Sequence, residues 1–167
     1  MITNHHVAGR TVRIVCRLAS GEEIEADLAG SDPLADIAVL KLRLAGRKEN
    51  RPLAVATFGD SDALRVGDRV YALGSPLAIS QSVTAGIVSN TAMIMPAPFE
   101  PELLLEGEAV GSLVRWIVHD ATILEGSSGG PLANERGEIV GVNEIAFGLG
   151  GAIPGNLARD TARQIVA

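Results

Sequence analysis

Apolar and polar residues alternate over two neighbouring stretches near the start of the chain. Val12, Ile14, Cys16 and Leu18 alternate with Arg13, Val15 and Arg17, and Ile24, Ala26 and Leu28 alternate with Glu23, Glu25 and Asp27. A period of two belongs to a strand with one buried face, and Ser20-Gly21 between the stretches is turn chemistry, so the pattern predicts a hairpin with one wet face. Residues 37–42 form a short continuous apolar run, read as a strand, and the basic segment 43–51 reads as a solvated loop. After Phe58-Gly59-Asp60-Ser61-Asp62, a turn with local capping chemistry, strands are predicted over 69–73, 82–89, 114–119 and 139–145. Segment 93–111, with Pro96, Pro98 and Pro101, reads as a long loop. Only the end of the chain reads as helix, with Asn156 as its cap and Leu157, Thr161, Gln164 and Ile165 on one face. Many short strands separated by turns point to an antiparallel barrel or sandwich rather than a parallel sheet.

Composition narrows the reading. The 167 residues are 47% hydrophobic and 20% charged, which excludes a disordered chain and leaves room for one domain or two small subdomains. With 19 glycines and 8 prolines, long helices can occupy little of the backbone. Lys and Arg number 14 against 20 Asp and Glu, a net charge of −6, and few aromatics are available to stack on bases, so no nucleic-acid partner is expected. From 70 to 99 no residue carries a formal charge, but Gly74, Pro76, Gln81 and Asn90 interrupt the run, so it reads as buried strands and not as a transmembrane segment. The start, Met1-Ile2-Thr3-Asn4-His5-His6-Val7, carries no signal-peptide pattern. The single cysteine, Cys16, excludes an intrachain disulfide, and with three histidines no metal site and no cofactor are expected.

The densest chemical signal is Gly126-Ser127-Ser128-Gly129-Gly130-Pro131, where a serine sits among residues that let the backbone aim N–H groups at one point. It is also the form of a plain glycine-rich turn. As a nucleophile elbow of the α/β-hydrolase kind it would need a histidine after the serine, and none follows His119. The order Asp, His, Ser would need His119, only nine residues before Ser128 and on a neighbouring strand. The order His, Asp, Ser is available with His5 or His6, then Asp32 or Asp36, then Ser128.

Several motifs now stand in one order: Ile2-Thr3-Asn4-His5-His6-Val7, Asp32-Pro33-Leu34-Ala35-Asp36-Ile37-Ala38-Val39-Leu40-Lys41, Gly59-Asp60-Ser61, Leu64-Arg65-Val66-Gly67-Asp68, Gly74-Ser75-Pro76, Val83-Thr84-Ala85-Gly86-Ile87-Val88-Ser89 and Gly126 to Pro131. Together they resemble the protease domain of the HtrA/Deg family of trypsin-like serine proteases, over nearly the whole chain. The resemblance implies an all-β fold of two antiparallel β-barrels of the trypsin-like type with a short C-terminal helix. The first barrel is expected over 1–58, the second over 59–153 and the helix over 154–167. Family members place about two strands before the histidine motif, so the first barrel is expected to be incomplete.

The resemblance also implies roles. His6 would be the base, Asp36 the acid that orients it, Ser128 the nucleophile, and the amides of Gly126 and Ser128 the oxyanion hole. Thr122 would lie at the base of the pocket for the residue preceding the scissile bond (P1), with Glu144, Ile145 and Ala146 in its wall. Trypsin has an aspartate at the position of Thr122, so a small or medium aliphatic P1 residue is expected. Glu144 departs from the family, which has Thr or Ser there beside the aspartate of the triad. The implied activity is endopeptidase cleavage of unfolded or damaged proteins, in a periplasmic or other extracytoplasmic setting. The polypeptide substrate is the expected partner. An inactive peptide-binding relative, or a fragment of a longer protease, is the alternative.

Overall fold

The computed structural model describes residues 1–45, 47, 52–75, 82–94, 103–105, 108–111 and 114–167. Its first unit is an open antiparallel sheet built from β1 (Ile2–Thr3), β2 (Ile14–Arg17), β3 (Glu23–Asp32) and β4 (Ile37–Leu42), in the order β1-β4-β3-β2. The predicted hairpin is β2 and β3, in a register that sets Ile14 opposite Ala26 and Cys16 opposite Ile24. Gly21 turns it at a φ of 85°, a left-handed conformation that glycine adopts without a Cβ clash. The continuous apolar run of β4 is buried because both of its faces are covered. Ala38 and Leu40 pack with Ala8, Cys16 and Ala26, while Ile37 packs with Trp116, Val142, Ile153 and Ala158.

The second unit is a closed barrel of β5 (Arg69–Gly74), β6 (Ser82–Met93), β9 (Trp116–His119), β10 (Pro131–Asn134), β11 (Ile139–Ala146) and β12 (Gly150–Pro154), in the order β10-β11-β12-β9-β6-β5. Val70, Val88, Ile117, Leu132, Val140 and Ala152 fill it. The all-β, two-unit expectation therefore holds, with one unit closed and the other an open half-barrel. Among the described residues no helix is long and apolar enough to cross a membrane.

Four local expectations need correction. The segment read as a loop over 93–111 contains an antiparallel pair, β7 (Leu103–Leu105) with β8 (Glu108–Val110). Its prolines 96, 98 and 101 lie outside the described residues, as do Pro76 and Gln81. Of the basic segment after β4, residues 43–45 are exposed as expected, but Arg47 is half-buried in a pair with Glu22, and 46 and 48–51 lie outside the described residues. One helical turn, α1 (His5–Ala8), stands where no helix was predicted. The terminal helix, α2 (Gly155–Val166), buries Gly155, Ala158, Thr161 and Ala162 and leaves Gln164 exposed. Asn156 lies inside its first turn and does not cap it; its side chain donates to Asp60 Oδ1 at 2.7 Å. The helix packs on β11 and reaches across to β3, where Ile165 sits so close over Gly30 that a Cβ there would lie 2.8 Å from its methyl group.

Candidate active site

The site begins with a turn. Asp32 accepts from the amides of Leu34 and Ala35 at 2.9 and 3.3 Å, an Asx turn that Pro33 stiffens, and the chain then enters β4 through Asp36. Asp36 is fully buried at a φ of 49°, a left-handed conformation that costs a non-glycine residue about 1 kcal/mol. Hydrogen bonds from the histidine segment hold it there. Its carbonyl accepts from the His5 amide and from Asn4 Nδ2, both at 3.1 Å. Its carboxylate accepts from the His6 amide at Oδ1, 2.9 Å, and meets His6 Nδ1 at Oδ2, 2.7 Å.

That pattern separates the open alternatives. His6 and Asp36 meet, whereas His5 is buried against Ser31 Oγ at 2.9 Å and Asp32 is engaged in its own turn. His119 is enclosed in the barrel and among the described residues neither ring nitrogen is hydrogen-bonded, although Asn143 and Ala121 border it. Burial pushes its pKa below the ordinary histidine value.

Ser128 sits in a turn that Ser127 organises. The buried Ser127 donates its amide to the Leu124 carbonyl at 2.9 Å, its Oγ accepts from the Leu124 amide at 3.2 Å, and its carbonyl accepts from the Gly130 amide at 3.0 Å. Gly126 and Gly129 take φ values of 93° and 80°, which make this reversal accessible. Among the described residues, the amides of Gly126 and Ser128 donate no hydrogen bond. The Ser128 hydroxyl donates to the Glu144 carbonyl at 3.0 Å, and no hydrogen bond joins it to His6.

The residues expected to bind substrate are spread unevenly. Thr122 is exposed and its carbonyl accepts from Thr84 Oγ1 at 2.7 Å; Ile145 is half-buried and Ala146 exposed. Glu144 presents its main chain to Ser128 but buries its carboxyl, 5% exposed, beside Asp36. Trp116 Nε1 donates to Glu144 Oε2, while among the described residues Oε1 has no hydrogen-bond partner. Burial, then the Asp36 charge, push this carboxyl up to about 8, against the opposing effect of the Trp116 bond. Asn4, which holds Asp36, was named only as a member of the histidine motif, and Trp116, which holds Glu144, carried no signal in the sequence. Among the described residues no group of three or more His, Cys, Asp or Glu side chains is placed to hold a metal ion.

Comparison with known proteins follows the same lines. Residues 1–142 match the trypsin-like peptidase domain family. A probable periplasmic serine endoprotease DegP-like of Pseudomonas fulva (strain 12-X) is 39% identical over 174 residues, covering 100% of this chain and 32% of the relative. The periplasmic pH-dependent serine endoprotease DegQ of Escherichia coli (strain K12) is 38% identical over 173 residues, covering 99% of this chain and 34% of the relative. Among solved structures, the HtrA-type protease AlgW with decapeptide superposes with a TM-score of 0.84 at 34% identity, covering 99% of this chain and 47% of that one. The serine endoprotease from Yersinia pestis gives 0.76 at 31% identity, covering 99% and 53%. The chain thus spans about a third of the length of these curated relatives and about half of these solved chains.

Proposed function

The chain belongs to the trypsin-like peptidase family, and from that membership we propose that it is a serine endopeptidase working through His6, Asp36 and Ser128. The observation that carries the proposal is the double contact of Asp36 with His6, at ring and at backbone. A proton on Nδ1, shared with a buried carboxylate, leaves Nε2 as the lone-pair nitrogen able to take a proton from Ser128. Rotation about the Ser128 Cα–Cβ bond carries Oγ from the Glu144 carbonyl towards His6. Oγ then attacks the scissile carbonyl while His6 takes its proton. The amides of Gly126 and Ser128 stabilise the oxyanion, and His6 returns the proton to the leaving amine. Water, activated by His6 in the same way, hydrolyses the acyl-enzyme.

An uncharged Thr122 and the aliphatic Ile145 and Ala146 support a small or medium aliphatic P1 residue. The relatives are named periplasmic, and AlgW is described with bound peptides. An extracytoplasmic setting and polypeptide substrates are proposed on that ground. One observation favours a second reading, a non-catalytic peptide-binding cleft: the Ser128 hydroxyl is engaged by Glu144 and not by His6. Labelling with a fluorophosphonate separates the two. Stoichiometric labelling that Ser128→Ala abolishes is expected; intact peptide binding without labelling at any pH from 6 to 9 would leave the second reading.

A further inference from the structure

Glu144 and Asp36 are both buried, and their carboxyl groups lie within hydrogen-bond reach of each other. Two ionised carboxylates in contact inside a protein repel strongly, so one of them holds a proton. The surroundings differ in which one they favour. Asp36 accepts two N–H bonds on its carboxylate, from the His6 ring and the His6 amide, and such bonds stabilise the charged form. Glu144 receives one, from Trp116, and among the described residues its Oε1 has no partner, pressed so near Gly111 that a Cβ there would lie 2.7 Å from it. A buried, half-satisfied carboxylate is costly, and a proton on it removes the charge and supplies the missing donor.

We propose that Glu144 is a positioning residue of the triad, carrying a proton in the working state and donating it in a hydrogen bond to the Asp36 carboxylate. The proposal rests on the triad reading above. It gives Asp36 a third donor and leaves the pair with a single negative charge to hold His6. Loss of that proton sets two charges against each other and loosens Asp36 from His6, so activity falls on the alkaline side.

The charges around the pair are few. His6 stands beyond Asp36 on α1. Strands β10 and β12, which flank β11, carry no titratable side chain. From β9 come Trp116 and His119, the latter with its pKa lowered by burial. Helix α2, packed on β11, carries Arg159 and Arg163, both paired with its own Asp160. No cation among the described residues contacts Glu144 to compensate a second negative charge. The raised pKa of Glu144, about 8, agrees with this geometry.

The test has two arms. In the Ser128→Ala chain, where nothing depends on catalysis, the carboxyl carbon of Glu144 is followed by ¹³C NMR against pH. A midpoint above 7, moving with the His6 Nδ1–H resonance, is expected; a midpoint in the ordinary carboxylate range overturns the proposal. In the second arm the rate of fluorophosphonate inactivation is measured against pH. Wild type is expected to lose about tenfold per pH unit beyond the Glu144 midpoint. Glu144→Ala should be slower by about 10- to 100-fold, the worth of a hydrogen bond to a charged group. Glu144→Gln, which keeps a donor but cannot titrate, should restore most of the rate and abolish the alkaline fall. Superimposable wild-type and Glu144→Gln profiles overturn the proposal. A wild-type chain inert to the probe at every pH sinks the protease reading instead, and the NMR midpoint then decides the carboxyl pair alone.

Discussion

The Asp36 carboxylate holds His6 by two separate bonds, Oδ2 to the ring Nδ1 at 2.7 Å and Oδ1 to the backbone amide at 2.9 Å. One side chain therefore sets the ring orientation of His6 and ties it to the backbone of α1. In Asp36→Asn the amide keeps the shape of the group but can present an N–H to Nδ1, which favours the wrong tautomer and removes the charge that stabilises the imidazolium. Fluorophosphonate inactivation is expected to slow by about 10³- to 10⁴-fold. A loss below tenfold would mean that His6 is not oriented by Asp36.

Gly129 joins the two units at the nucleophile turn. At a φ of 80° it faces β1 so closely that a Cβ would lie 2.1 Å from Thr3 Oγ1. Gly129→Ala therefore meets two penalties of different origin. The left-handed backbone costs about 1–2 kcal/mol, and overpacking against Thr3 costs about 1–3 kcal/mol more. Adding Thr3→Ala removes the hydroxyl and relieves the second penalty while leaving the first. Urea unfolding of the single and double variants is expected to show that partial recovery; full recovery or none would contradict this account of the contact.

These contacts mark where the sequence was readable. Strand β4 was legible because its apolar run is continuous and bounded by a turn on one side and basic residues on the other, and the β2–β3 hairpin because its alternation has one period. Strand β12 was not, since Gly150-Gly151 has no strand propensity and earns its place by making room for neighbours: a Cβ at 150 would lie 2.3 Å from the His119 ring. β10 opens on Pro131, and the first residue of a strand is among the positions where a ladder tolerates proline. The helical turn α1 is too short for a periodic signal. In the site, chain order left His5 or His6 and Asp32 or Asp36 open ahead of Ser128, and only the resemblance of the motifs to a family pointed to His6 and Asp36. The burial of the Glu144 carboxyl was hidden because Asp36 and the 111–116 stretch, with Gly111 and Trp116, reach it from two distant segments, and only packing brings them together.

Cys16 reports on the open sheet. It is 8% exposed between Ala8, Ala26, Ala38 and Leu40, and burial raises its thiol pKa. In the folded chain, labelling by iodoacetamide at pH 8 should be slow, because both access and thiolate are scarce. If the half-barrel opens before the closed barrel, labelling should accelerate at urea concentrations where the amides of β5 and β6 are still protected from hydrogen exchange. Rapid labelling without denaturant would refute the packing of β2 against β4.

Stability should carry two opposed pH dependences. Glu144 rises from 4.5 in the unfolded chain to about 8 when folded, so between these values the folded state holds the extra proton. Stability from this group is complete below about 4.5 and is lost as pH rises towards 8, at up to about 1.4 kcal/mol per pH unit. His119 has the opposite sign. Its folded pKa lies below 6.5, so its contribution is complete above that value and is lost as pH falls below it, because the unfolded chain binds the proton. Below about 6.5 the two slopes oppose one another, and between 6.5 and 8 Glu144 acts alone. Denaturant midpoints of wild type should therefore change little just below pH 6.5 and decline from there to 8. Glu144→Gln should abolish that decline and unmask the acid-side loss, whereas His119→Gln should make the chain more stable as pH falls below 6.5. A decline between 6.5 and 8 that survives Glu144→Gln would place the titrating group elsewhere.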